Sequence, residues 1–384
     1  MKYQRMAKAP GAVATLLLLA AGTAAAAQVS RILHHDALVI DWATAGDGGL
    51  PVAAFGEHWR LRLEDNPRIG QRRSLRDIRV LGGSIDGRPG SWLRLTRAGK
   101  ELTGILFDGE ALYGIEPRRQ AAPRLQHPDT GPGSINVIFR MRDLVLPPAA
   151  DGCELLPPDS AGSGAGSVAR LAAETAALPA DGGRRMLLDV VADYEFFRMQ
   201  GAGAEAAILA RLNIVDGIFL NQLGIDIEID SLQIFGTAND PFTSRVPAEL
   251  LDELRRYRLA SGFTRGPTHL LTGRDLAGTT RGIAYFGAAC STEFGAALSQ
   301  QTADTWISAL TTAHEIGHTL GAWHDNESSQ MNGQRNPCEF APPGFLMEAT
   351  INGNDRFSQC SLDTIERFLA SGTPEAACVA GIST

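Results

Sequence analysis

Apolar and polar positions change their period several times along the chain. From residue 28 to about 150 the apolar residues come in short alternating stretches, such as 78–81, 92–95 and 103–107. Asp86-Gly87, Pro89-Gly90 and Asp108-Gly109 punctuate them as turns. This pattern predicts a small, mostly β unit. The period is lost over 153–185, where residues 157–167 are rich in Pro, Gly and Ser, the composition of a flexible linker. That stretch ends at Gly182-Gly183-Arg184-Arg185, which reads either as an exposed dibasic cleavage site or as a solvated loop.

From Met186 the pattern becomes α/β. Residues 186–192 are almost continuously apolar, as in a buried strand. Residues 204–223 carry Ile208, Leu212, Val215, Ile218 and Phe219 at helical spacing. Residues 225–234 alternate Ile225, Ile227 and Ile229 with acidic positions, as a half-buried strand does. A helix is expected over 248–259, and strands over 269–271 and 282–287. The stretch 304–320 is helical in character, with Leu310, Ala313, Gly317 and Leu320 sharing one face. No internal repeat is visible.

Composition changes this picture mainly at the N-terminus. Lys2, Arg5 and Lys8 precede an apolar run over 11–21, followed by Ala25-Ala26-Ala27. This is the layout of a secretory signal over 1–27, cut near Ala27. The run is short for a membrane anchor, and no later segment reaches spanning length. A net charge of −8 without a basic stripe argues against a nucleic-acid partner. The five cysteines are Cys153, Cys290, Cys338, Cys360 and Cys378. In an oxidising compartment, periplasmic or extracellular, four would pair and one would be left over.

The candidate chemistry lies in residues 314–325, His-Glu-Ile-Gly-His-Thr-Leu-Gly-Ala-Trp-His-Asp. His314 and His318 stand four apart, so on a helix both imidazoles reach one ion. Glu315 places a carboxylate beside that ion, where it can take a proton from water. A helix running straight on would carry His324 away. Gly321 can adopt a left-handed conformation, end the helix and turn the chain back. His324 then completes a three-histidine zinc site with one open position. Six fixed positions arise by chance about once in a million starting points. A closed structural zinc site is the bland alternative, but such sites rarely keep a free position with a Glu beside it.

This extended motif resembles the metzincin clan of metallopeptidases. Asp325, directly after the third histidine, is similar to the adamalysin (reprolysin) family, which includes snake-venom and ADAM-type peptidases. So are residues 187–197, which look like the family's opening strand, the stretch from Leu271-Thr272-Gly273 through 282–287 to Cys290, and residues 357–361. Upstream, Gly90-Ser91 and residues 102–117 look like the family's propeptide. The resemblance implies an α/β metzincin catalytic domain, with a twisted mixed sheet, an active-site helix and a small C-terminal subdomain, preceded by a mostly β propeptide. Together with the signal peptide read over 1–27 and the linker over 153–185, it implies a propeptide over 28–152 and a metallopeptidase domain over 186–384. Met347 is implied as the methionine of the turn beneath the zinc. Gly282, Ile283, Ala284 and Tyr285 are implied as the substrate-edge strand, and Thr350 and Ile351 as pocket wall. Ala349 stands where other metzincin groups place a ligating Tyr, so no fifth ligand is expected. Phe345 replaces a common family cysteine. Four cysteines allow three connectivities, and Cys290–Cys378 with Cys338–Cys360 is the pairing preferred beside the resemblance. Asp189 matches one position of the family's calcium site. Gly266-Pro267 and the lack of an Asn after Cys378 do not match, so calcium is not expected. Only six residues follow Cys378, and no disintegrin-like domain is expected there.

The resulting expectation is a monomeric, secreted zinc endopeptidase acting on proteins or peptides, with Glu315 as base and its own propeptide as inhibitor. Cys153 is either a thiolate ligand that fills the fourth zinc position until processing, as in the family's cysteine switch, or a free or intermolecularly paired thiol. A catalytically silent binding module or a zinc-storage protein would not need the intact set of Glu315 and three histidines.

Overall fold

In the computed structural model, residues 30–42, 49–70, 77–127, 134–146, 152–158, 183–331 and 333–381 are described. The expected signal segment, 1–27, and the linker residues 159–182 lie outside them.

The alternating N-terminal stretches form one antiparallel sheet. Its strand order is Asp36–Leu38, Asn136–Arg140, Leu112–Pro117, Glu101–Phe107, Trp92–Ala98, Ile78–Ile85, Glu57–Asp65 and Leu50–Ala54. Alternation sorts the two faces. In Glu57–Asp65, Trp59 and Leu61 are buried while Arg60 and Arg62 are exposed. Leu81, Leu93, Leu95, Leu106, Ile115 and Ile138 fill the same core.

The C-terminal unit is built on a second sheet. Its order is Gly152–Leu156, Thr280–Tyr285, Ala296–Gln300, Thr268–Thr272, Arg184–Ala192 and Ile225–Ile234. Neighbours run parallel except Thr280–Tyr285 against Ala296–Gln300, and Ala380–Gly381 pairs antiparallel with Arg184–Ala192. Both faces of this sheet are covered, as its continuous apolar strands require. Met186, Leu188 and Val190 pack with the helices Ala204–Leu223 and Thr305–Thr319. Val191, Leu270, Ile283 and Leu298 pack instead with Leu250, Leu251 and Leu254 of the helix Pro247–Ser261.

The N-terminal sheet sits on the helix Ala204–Leu223, which explains why residues 208–219 are buried all round. The contact is polar at its centre. Asp216 is fully buried and accepts from Arg94 Nε and Asn66 Nδ2, both at 3.0 Å. Asn213 Nδ2 donates to the carbonyls of Leu81 and Leu95 at 3.1 and 3.2 Å. A second contact grips the start of the helix Thr305–Thr319. Asp304 caps it through Oδ1, accepting from Trp306 N and Ile307 N. Its Oδ2 accepts from Arg124 at 2.7 Å and from Ser30 at 2.6 Å.

Three expectations change. The linker does not begin at 153, because Gly152–Leu156 is a strand of the second sheet. A sheet edge with unpaired main-chain groups recruits any short extended segment within reach, and Cys-Glu-Leu-Leu is too short to hold a helix of its own. Arg184-Arg185 is not in a loop, although Arg185 remains exposed. Both residues lie in Arg184–Ala192, paired with Ile225 and Asp226 on one side and with Gly381 and Ala380 on the other. Arg184 is also ion-paired with Glu366 at 2.6 Å and Arg185 with Glu228 at 3.1 Å. The stretch 187–197 is not one strand. It ends at Ala192, and Asp193 caps the helix Tyr194–Gln200 by accepting from Phe196 N.

Two disulfides are present, Cys290–Cys378 and Cys338–Cys360. Cys153 is buried and forms no disulfide. Asp189, matched above to a calcium position, is buried and accepts from Ser231. Among the described residues no helix is long and apolar enough to cross a membrane.

Candidate metal centre

The helix Thr305–Thr319 is buried along its length. His314 and His318 stand one turn apart on it, with ring centroids 4.5 Å apart. The helix stops where Gly321 takes φ +82°, and Ala322 N closes back onto Gly317 O at 3.0 Å. A β-carbon at Gly321 would lie 3.1 Å from Phe368 Cβ, so the position needs glycine for conformation and for space. The reversed chain brings His324 to within 4.6 Å of His318, centroid to centroid.

One ligand atom from each of the three histidines lies within 4.8 Å of the others, and all three residues are buried. Their tautomers follow from their partners. His314 Nδ1 is 2.8 Å from Leu346 O and His318 Nδ1 is 2.7 Å from Ala322 O. A carbonyl only accepts, so each Nδ1 carries the hydrogen and each Nε2 keeps its lone pair. His324 Nδ1 lies 2.8 Å from Glu327 Oε2, which leaves its Nε2 facing His318 Nε2 at 3.0 Å. His314 Nε2 is buried without a hydrogen-bond partner. Burial, reinforced by the neighbouring His324, holds His314 down to about 3, and burial pushes His318 well down too. Neutral imidazoles with converging lone pairs are what a divalent metal needs. The donors fit zinc, for which three nitrogens with a position left over is a common catalytic set.

Glu315 is fully buried, and neither carboxylate oxygen has an ordinary hydrogen-bond partner. Burial pushes its carboxyl well above the usual range, while the adjacent Cys153 thiol pulls the other way. A β-carbon on Gly282 would overlap the Glu315 carboxylate, so Gly282 is the gap that lets Glu315 stand against the strand Thr280–Tyr285. Met347 lies under the helix, where a β-carbon on Gly317 would be 3.0 Å from its Sδ. Asp325 takes no part in the histidine cluster. It accepts from Ser358 Oγ at 2.7 Å and Ser361 Oγ at 3.1 Å, tying the third-histidine loop to the last helix, Gln359–Leu369.

The strand that carries Gly282, Ile283, Ala284 and Tyr285 is already paired. Residues 153–156 run parallel to it, with Cys153 opposite Gly282 and Leu156 opposite Tyr285. On the other side Cys153 N donates to Ala349 O at 2.9 Å, and Gly152 bridges Thr350. The segment thus threads between the edge strand and the chain just after Met347. Cys153 Sγ, a His314 ring nitrogen and a Glu315 oxygen lie within 4.8 Å of one another. Sequence reasoning missed the pairing of this segment and the part played by Glu327. Neither carries a local motif.

A family model for the reprolysin (M12B) family zinc metalloproteases matches residues 185–381, just over half of the chain. The chain belongs to this family. Among curated proteins it is 28% identical over 304 residues to rat disintegrin and metalloproteinase domain-containing protein 1 (Rattus norvegicus), covering 75% of this chain and 34% of that protein. It is 27% identical over 300 residues to each of the mouse proteins 1a and 1b (Mus musculus), with the same coverage. The chain therefore spans about a third of the length of these relatives.

Proposed function

We propose that the protein is a secreted zinc-dependent endopeptidase made as a latent precursor. The observation that carries this reading is the convergence of three buried imidazoles, two with Nδ1 tied to main-chain carbonyls, beside the fully buried Glu315 carboxylate. His314, His318 and His324 hold the metal through Nε2. Bound there, zinc supplies the Lewis acidity that activates water and polarises a carbonyl at neutral pH. Glu315 takes the proton of the attacking water and delivers it to the departing amine. Gly282, Ile283, Ala284 and Tyr285 offer main-chain groups to an extended protein substrate. Thr350 and Ile351 wall the pocket for the side chain after the cleaved bond. Met347 serves as the turn methionine that supports the helix from below.

The same strand pairing supports latency. Residues 153–156 lie along the edge that the substrate would use, and the Cys153 thiol supplies a fourth donor. Residues 28–152 act as the propeptide that keeps this segment in place. Processing at Arg184-Arg185 would require opening the pairing of that strand with Ile225 and Asp226. The signal-like residues 1–27, together with the two disulfides, support export. The test is casein hydrolysis by the processed protein with and without a zinc chelator. Hydrolysis that the chelator stops and added zinc restores is expected. Intact casein after treatment with zinc-loaded, processed protein would overturn the reading.

A further inference from the structure

The three histidines are not oriented in the same way. His314 and His318 sit on a helix, and each gives its Nδ1 hydrogen to a main-chain carbonyl. His324 sits on a loop, past the turn at Gly321. No helix fixes its ring, and its Nδ1 meets a side chain instead, Glu327 Oε2 at 2.8 Å. A carboxylate is a stronger acceptor than a carbonyl, and its charge makes the opposite ring nitrogen a better donor to a metal.

The loop is built to present this carboxylate. Asn326 adopts φ +57°, and its N–H is bonded to Cys338 O at 3.0 Å. Asn336 is 1% exposed and its Nδ2 donates both to His324 O and to Glu327 O, each at 2.7 Å. Asn336 Oδ1 accepts from Cys338 N at 2.8 Å, and Cys338 is joined to Cys360. One buried amide thus fixes the spacing between the backbone of the ligand and that of its partner. The Glu327 side chain is itself 40% exposed, so it is not held there as core packing.

We propose that Glu327 is a positioning residue for the third metal ligand. It locks the His324 tautomer with Nε2 free, aims the ring and raises its donor strength. This rests on the three-histidine reading of the site given above.

The test measures zinc binding by the full-length chain, by competition with a chromophoric chelator, in wild type, Glu327→Ala, Glu327→Gln and His324→Ala. Glu327→Ala is expected to weaken zinc about 10- to 100-fold. Its metal-free melting temperature should match wild type, and the visible absorption bands of its cobalt-substituted form should shift. Glu327→Gln keeps an oxygen acceptor but no charge, so an intermediate loss is expected. That near-isosteric variant also decides the matter should the alanine variant not fold. Zinc affinity within twofold of wild type in either Glu327 variant overturns the inference. His324→Ala separates the two levels of the argument: if it binds zinc like wild type, the three-histidine reading fails, whatever the Glu327 variants do.

Discussion

Glutamine at position 116 should remove a pH dependence from the junction between the two units. Glu116 is 3% exposed and shares Arg124, itself 2% exposed, with Asp304. Two carboxylates thus face one guanidinium inside the protein, with Ser30 Oγ donating to Asp304 and accepting from Arg124 Nη1 at 3.1 Å. Burial pushes the Glu116 carboxyl up, Arg124 pulls it down and Asp304 pushes it up again, from its usual 4.5 to about 7. Between those values the folded protein keeps a proton that the unfolded chain has lost. The stabilisation is therefore complete below 4.5 and is lost as pH rises through about 7. A displacement of this size corresponds to about 3 kcal/mol. Glu116→Gln has nothing to titrate there and still offers an oxygen to Arg124. The variant should match wild type at pH 4.5 and exceed it by about 3 kcal/mol at pH 8. Urea denaturation of the non-reduced full chain, followed by tryptophan fluorescence, reads the difference, since Trp306 lies two residues past Asp304. A variant-minus-wild-type difference that is the same at both pH values, or a variant weaker at pH 8, would refute the reasoning.

Two further outcomes concern the cleft. Cys153→Ser full-length protein should hydrolyse casein faster than the unprocessed wild type, because the thiol beside His314 and Glu315 is gone while residues 153–156 still line the edge; hydrolysis no faster than wild type would sink the switch role. Gly282→Ala in the processed protein should lower kcat about 100-fold with zinc content unchanged, since the new β-carbon displaces the Glu315 carboxylate; an unaltered kcat would mean that Glu315 does not work from this position.

The most legible parts of the molecule in its sequence are those set by local periodicity. The helix expected over 304–320 is observed as Thr305–Thr319, and that expected over 248–259 as Pro247–Ser261. Gly321 is the turn that its place between His318 and His324 suggests. The strand Ala296–Gln300 was not foreseen, because Ala-Ala-Leu-Ser-Gln neither alternates nor runs apolar, and all five residues are buried by the strands and helices around them. Gly152–Leu156 was hidden by its linker neighbourhood, since what makes it a strand is the edge at Thr280–Tyr285, over a hundred residues away. The Glu116–Arg124–Asp304 cluster joins residues 116–124 to residue 304, which become neighbours only on folding. Glu327 is close in sequence to His324, but its role depends on Asn336 and on the Cys338–Cys360 disulfide.

The central claim is that Glu315 moves the proton while the histidines hold the metal. It is tested by Glu315→Ala in the processed protein, assayed for bound zinc and for casein hydrolysis side by side. The account predicts zinc retained at one per chain and hydrolysis lost. Full hydrolysis by the zinc-loaded variant would contradict it.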